Sequence, residues 1–122
     1  MTNNSDIVTD FIHCWGRKDI DGIMAHFSED AIYINIPMEP ANEGVTAIRA
    51  FIEGFIGMAS DIEFIVHHQV DNGQGIIMNE RTDRFFINDA WLELQVMGIF
   101  ELANGKITHW RDYFDMAKLN GG

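Results

Sequence analysis

Residues 91–115 read WLELQVMGIFELANGKITHWRDYFD and contain two β-type segments on either side of Asn104-Gly105. Asn-Gly between two such segments is a strong signal for a tight β-hairpin. Two further β-type segments precede this hairpin, at residues 62–70 and 74–88, and polar turn residues bound them at Asp71-Asn72-Gly73 and Asn88-Asp89. The second half of the chain therefore predicts a long meander of antiparallel strands.

The first half of the chain has helical periodicity. Residues 5–17 predict an amphipathic helix capped by Ser5 or Asn4, Asp19 could cap a second short helix, and residues 45–58 predict a third. Ala31 to Ile36 alternates like a strand and then leaves into a loop at Pro37 and Pro40. We expect one α+β domain over residues 1–122, with the helices packed against one curved antiparallel sheet.

Composition excludes several classes of function. The chain has 19 acidic and 8 basic residues, and its net charge of −11 disfavours nucleic acid and anionic membranes as partners. Cys14 is the one cysteine and cannot form an internal disulfide, and no apolar run approaches the ~18 residues of a membrane span. The first residues lack the features of a signal peptide, so we expect a cytoplasmic protein.

Charged residues occur where strand faces are otherwise apolar. Arg81 and Asp83 share a face that is apolar at both ends, and Asp112 lies between Trp110 and Phe114. A buried carboxylate needs a partner, and Arg81 is the natural bidentate candidate for Asp112. The pattern fits either a structural bridge between two neighbouring strands or a site where the carboxylates do chemistry.

Tyr33 and Asn35 share one strand face, whereas Ile32, Ile34 and Ile36 share the other. This pattern fits a polar surface face, or a functional site if both faces of the sheet are covered. His13, His26, His67, His68 and His109 lack the spacing of metal ligands, and the chain has no nucleophilic serine motif or phosphate-binding loop. We therefore expect no metal and no cofactor.

Three motifs carry a family resemblance: Tyr33-x-Asn35-x-Pro37, Glu80-Arg81-Thr82-Asp83, and the segment from Gly105 to Asp115 that contains Trp110-Arg111-Asp112. With them the chain resembles the limonene-1,2-epoxide hydrolase family of the nuclear-transport-factor-2-like, or SnoaL-like, superfamily. The resemblance implies a cone-shaped α+β fold whose curved mixed or antiparallel sheet surrounds a deep pocket. It also implies a homodimer formed through the outer side of the sheet.

The resemblance assigns roles as well. Asp112, Tyr33 and Asn35 would hold a water molecule, with Asp112 as the general base, while Asp83 would protonate the epoxide and Arg81 would bridge the carboxylates. The two carboxylates should titrate as a coupled pair. A small hydrophobic epoxide would be held by apolar side chains, namely Phe55, Leu94, Val96, Trp110 and Phe114.

Two alternatives to an epoxide hydrolase stay open at this point. One is a ketosteroid-isomerase-like or polyketide-cyclase-like enzyme on the same fold, in which the carboxylate of one acidic residue removes a proton from carbon and another group polarises a carbonyl. The other is a non-catalytic protein that binds an apolar metabolite, in which the two aspartates are structural. Turnover of any epoxide to a diol separates both from the hydrolase.

Overall fold

Helix α1 (Asn4–Gly16) opens the fold in the computed structural model, which describes residues 3–119. Its cap is Asn3, whose side chain accepts a hydrogen bond of 2.8 Å from the backbone N–H of Asp6. The prediction of Ser5 or Asn4 as the cap was therefore wrong, because those residues already lie in the first helical turn. The apolar face of α1 is buried, as its spacing predicted.

Three more helices follow within the described residues. Helix α2 (Ile20–Met24) is capped by Asp19, which accepts from the N–H of Gly22 at 3.0 Å as predicted. Helix α3 (Val45–Ile56) ends two residues earlier than the sequence predicted. A short helix, α4 (Met116–Leu119), follows the last strand. Helix α1 packs against α2 and the sheet, and α3 packs against the first two strands.

Six strands form one curved sheet. They are β1 (Phe27–Asn35), β2 (Met38–Glu43), β3 (Asp61–Asp71), β4 (Ile76–Ile87), β5 (Ala90–Ala103) and β6 (Lys106–Tyr113), in the order β2-β1-β6-β5-β4-β3. Asn88 and Asp89 both have positive φ angles, of 53° and 62°, as do Asn104 and Gly105, at 53° and 78°. Two positive φ angles in succession are typical of two-residue hairpin turns, so the predicted meander is confirmed.

The sheet differs from the sequence prediction in two respects. It is mixed, because β1 pairs in parallel with β6. Periodicity alone predicted antiparallel strands, whereas the family resemblance implied a mixed or antiparallel sheet and is confirmed. The predicted loop at Pro37 and Pro40 is in part an edge strand, β2, which pairs with β1. Pro40 is compatible with this strand because an edge strand has one side with no partner for a backbone N–H.

The register of the strands decides which side chains meet at the inner face. Asn35 of β1 lies opposite Asp112 of β6, Asp112 lies opposite Gly98 of β5, and Gly98 lies opposite Asn79 of β4. This row of polar residues and glycine crosses the face on which the buried core lies. None of the helices between residues 3 and 119 has the length and hydropathy of a membrane-spanning segment.

Candidate active site

Arg81 lies at the centre of the polar side chains on the inner face and is 0% exposed. Its Nε donates to Asp83 Oδ1 and its Nη2 to Asp83 Oδ2, both at 3.0 Å. The bidentate partner of Arg81 is therefore Asp83, and the predicted bidentate pair with Asp112 was wrong. The reason is that Arg81 and Asp83 are two residues apart on one strand face, so the guanidinium fork lies along that strand.

Asp112 completes this cluster from β6. Its Oδ2 accepts from Arg81 Nη2 at 2.7 Å, and its Oδ1 accepts from the indole N–H of Trp110 at 2.7 Å. Strand β5 lies between β4 and β6, so the cluster does not join neighbouring strands as the sequence suggested. The bond passes over Gly98, where a Cβ atom would collide with Arg81 Nη1 and lie 2.6 Å from Asp112 Oδ1.

Asn79 is a polar neighbour of Arg81 that the sequence analysis did not assign to the site. Its Oδ1 accepts from Arg81 Nη1 at 2.7 Å, and its Nδ2 donates to Gln69 Oε1 at 3.1 Å. Gln69 in turn donates to the side chain of Ser5 on α1 at 2.8 Å. The alternation of residues 79, 81 and 83 on one strand face is the sequence signal that could have placed Asn79 in the site. The contact through Gln69 joins segments distant in sequence, which local periodicity does not encode.

Burial and charge together set the protonation of the cluster. Desolvation is the largest influence on Asp112, and it outweighs the attraction of Arg81, so that, with repulsion from Asp83, the pKa of Asp112 rises to about 6. Burial alone would lower the pKa of Arg81, but the charges of Asp112 and Asp83 raise it above its ordinary value. The cluster thus contains a fixed cation and a carboxylate that changes charge close to neutral pH.

Tyr33 and Asn35 lie on the same inner face as Asp112. Tyr33 is 4% exposed and stacks on Trp110 with ring centroids 4.2 Å apart, and Asn35 Nδ2 donates to the Tyr33 hydroxyl at 3.1 Å. Burial raises the pKa of Tyr33, which keeps its hydroxyl protonated and able to donate. Of the two interpretations of this strand, the polar surface face is wrong, because both residues line a buried chamber beside Asp112.

The chamber beside these polar groups has a volume of about 40 Å³ and is mostly apolar. All five apolar residues predicted to hold a substrate line it, namely Phe55, Leu94, Val96, Trp110 and Phe114. Five further lining residues were not predicted for this role: Trp15, Met38, Phe51, Phe64 and Phe85. Asp83 and Asp112 reach the chamber, whereas Arg81 lies behind them and does not line it.

The part of the chain that the structure describes does not assemble a metal site or a reactive thiol. Within residues 3–119, no group of three or more His, Cys, Asp or Glu side chains is arranged to hold a metal ion. Cys14 is buried on α1, where burial raises the pKa of its thiol, and Arg17 Nη2 lies 3.3 Å from its sulfur. A buried thiol with a raised pKa is a poor nucleophile.

Known structures define the class of this fold. A protein from Shewanella putrefaciens, proposed to be a SnoaL-like polyketide cyclase, superimposes with a TM-score of 0.87 at 13% identity. The match covers 99% of this chain and 96% of that one. An NTF2-like protein from Burkholderia pseudomallei has a TM-score of 0.84 at 20% identity, covering 98% and 95%. The fold is therefore that of the nuclear-transport-factor-2-like class.

The family within this class follows from sequence. The profile of the limonene-1,2-epoxide hydrolase catalytic domain matches residues 2–121, and the chain belongs to this family. It is 30% identical over 115 residues to epoxide hydrolase EphG of Mycobacterium tuberculosis, covering 92% of this chain and 73% of that protein. The structure of an M. tuberculosis LEH-like epoxide hydrolase superimposes with a TM-score of 0.82 at 27% identity, covering 94% and 84%.

Proposed function

We propose that this protein is an epoxide hydrolase that adds water to a hydrophobic epoxide, of a terpene, cycloalkene or aryl type, and forms a vicinal diol without a cofactor. The observation that carries the proposal is the Asp83–Arg81–Asp112 cluster, in which both carboxylates reach an apolar chamber and one arginine holds them together. The similar EphG protein is itself an epoxide hydrolase.

On the water side of the reaction, Asp112 acts as the general base. Each of its oxygens accepts one hydrogen bond from the protein, which leaves lone pairs free for a water molecule. Tyr33 and Asn35 supply a hydroxyl and an amide nearby, and three polar partners are what a buried water usually has. A pKa of about 6 for Asp112 suits a base that works near neutral pH.

On the epoxide side, Asp83 donates a proton to the ring oxygen as the C–O bond breaks. Water attacks the ring carbon in the same step and passes a proton to Asp112, so the products are the diol, ionised Asp83 and protonated Asp112. Return of the proton from Asp112 to Asp83 along the Arg81 bridge restores the starting state. Arg81 contacts both carboxylates and keeps them in register.

We also propose a homodimer formed through the outer face of the sheet. This face carries exposed large apolar side chains on neighbouring strands, among them Met78, Met97 and Tyr113. Exposed apolar clusters on a sheet are typical of protein contact surfaces. A cytoplasmic location, suggested by the sequence, stays part of the proposal.

The test is a panel of terpene, cycloalkene and aryl epoxides incubated with purified protein and analysed for diol. Asp83→Asn and Asp112→Asn should each lower turnover by ~10²–10⁴ while the fold survives. Arg81→Lys should also be severe, because a point charge cannot bridge two carboxylates as a planar fork does. Asp10→Asn, at an exposed position on α1, is the control and should keep the wild-type rate.

Each alternative function predicts a different result from this panel. A non-catalytic binder forms no diol above the rate of buffer alone. An isomerase-like enzyme gives a rearranged product with no added water. If folded Asp83→Asn and Asp112→Asn variants still form diol at the wild-type rate, the catalytic roles assigned to these residues are wrong, even though the protein hydrolyses epoxides.

A further inference from the structure

Two apolar compartments meet at the candidate active site. The inner chamber contains the two carboxylates, and an outer groove of about 750 Å³ lies between α3 and the turn that joins β4 to β5. Met38, Phe51 and Phe55 line both compartments, so they form the passage between them. Outside this passage the groove is bounded by Ala50, Gly54 and Met58 on one side and by Ile87, Trp91 and Leu92 on the other.

The two volumes differ in what they can hold. A cavity needs roughly 10–15 Å³ to hold one water molecule. The chamber of about 40 Å³ therefore has room for a reacting ring and a water but not for a large substituent. Binding sites for small molecules usually measure about 300–1,000 Å³. The outer groove falls in this range, whereas the inner chamber does not.

We propose that the outer groove binds the apolar substituent of the substrate while the epoxide ring enters the inner chamber through the passage. This inference rests on the proposed function and selects, among hydrophobic epoxides, those whose ring lies at one end of the molecule. The ring must lie at the edge of the substrate molecule, and a single extended, uncharged hydrocarbon substituent must continue from it.

The chemistry of the groove supports an uncharged hydrocarbon as its occupant. Its lining contains no charged side chain, and the net charge of −11 disfavours an anionic ligand. Met38 and Met58 are flexible apolar side chains that adapt to ligands of different shape. The passage is held by aromatic contacts: Phe51 meets Tyr33 at 5.6 Å between ring centroids, and Phe55 meets Phe85 at 4.8 Å.

Gly54 offers a way to fill the groove without touching the catalytic cluster. It lies within α3, lines the groove, and a Cβ atom at this position would meet nothing within 4 Å. Gly54→Leu therefore occupies groove volume and also favours the helix. Ala47→Leu is the matched control, because Ala47 is an exposed residue of the same helix that does not line the groove.

The experiment measures kcat/KM for a series of 1,2-epoxyalkanes, from 1,2-epoxybutane to 1,2-epoxydecane. For the wild type we expect kcat/KM to rise about fourfold for each methylene until the groove is full. Gly54→Leu should lower kcat/KM for the longest substrate at least tenfold and leave that for 1,2-epoxybutane within twofold. Ala47→Leu should behave like the wild type.

Several outcomes would overturn the inference. The groove would not bind the substituent if kcat/KM rose equally with chain length in the wild type and in Gly54→Leu. The same would follow if 1,2-epoxybutane were hydrolysed and longer chains gave no increase. The proposed function would stand in both cases. A change in the oligomeric state of Gly54→Leu, measured by light scattering, would mean that a second copy of the chain covers the groove. Failure to hydrolyse any epoxide would remove the proposed function, and the inference with it.

Discussion

The surroundings of Asp112 disfavour its ionised form, and under the proposed function this form is the general base. Its folded pKa of about 6 lies above the ordinary 3.8, so at pH 7 the ionised group costs about 3 kcal/mol of folding free energy. The contribution of Asp112 to stability is thus fully present below pH 3.8 and is lost as the pH rises through about 6. Pairing with Arg81 alone would lower the pKa of Asp112, so the rise is due to burial and to repulsion from Asp83.

The pH dependence of activity and stability should therefore diverge. We expect kcat/KM to fall about tenfold per pH unit below pH 6, because the base becomes protonated. Urea unfolding at pH 7 should show that Asp112→Asn is at least as stable as the wild type, although its turnover should be much lower. Asp10→Asn provides the control for loss of a carboxylate at an exposed site. A flat rate between pH 7 and pH 5, or a strongly destabilised Asp112→Asn, would make Asp112 a structural residue.

At the level of elements, short-range signals in the sequence were sufficient for most helices and strands. Asp19 is a cap, Asn104-Gly105 is a tight turn, and the alternation of residues 77 to 87 gives the inner face of β4. Pairing between distant strands could not be predicted in the same way. The parallel contact of β1 with β6 depends on packing across the whole sheet, and it is this contact that brings Asn35 opposite Asp112.

Strand β5 contributes more to the candidate site than its sequence predicted. It contributes Leu94 and Val96 to the chamber, as predicted, and Gly98, whose role was not predicted, lets Arg81 reach Asp112 across the strand. A glycine within a strand often marks a close approach of other groups. The separation of β4 and β6 by β5 is what gives this glycine its function, and the sequence alone does not reveal that separation.

Gly98→Ala should test this role. The added methyl group would collide with Arg81 and crowd Asp112, so we expect kcat/KM to fall by ~10², the usual effect of a misplacement of about 1 Å. Overpacking should cost ~1–3 kcal/mol of stability, measured by thermal unfolding. Gly16→Ala, where an added Cβ would meet only the Ile62 carbonyl oxygen at 3.9 Å, is the control and should keep the wild-type rate. A fully active Gly98→Ala would show that the bridge does not require this gap.

For the whole molecule, the two faces of the sheet have different chemistry. The inner face carries the core, the chamber and the polar cluster, whereas Ile32 and Ile34 on the opposite face of β1 are only half-buried, as is Ile36 in the turn after β1. Considered alone, the alternation of these isoleucines favours their face as the core, whereas the core lies on the face of Tyr33 and Asn35. The family motifs corrected that interpretation, because they place Tyr33 and Asn35 with Asp112.

The half-covered outer face leads to a prediction about oligomeric state. Met97 is 44% exposed and lies opposite Tyr113, which is 48% exposed, so a second copy packed about a two-fold axis would bury both. Because each chain carries a charge of −11, apolar burial must drive this association, and added salt should strengthen it. Light scattering at micromolar concentration should give twice the mass of the chain for the wild type.

Met97→Glu should shift the protein to monomer, since it brings like charges together at the contact. Met58→Glu, at an exposed methionine beyond α3, should remain a dimer. A wild-type protein that stays monomeric at all concentrations and salt levels would refute the dimer, and a dimeric Met97→Glu would move the contact to another surface.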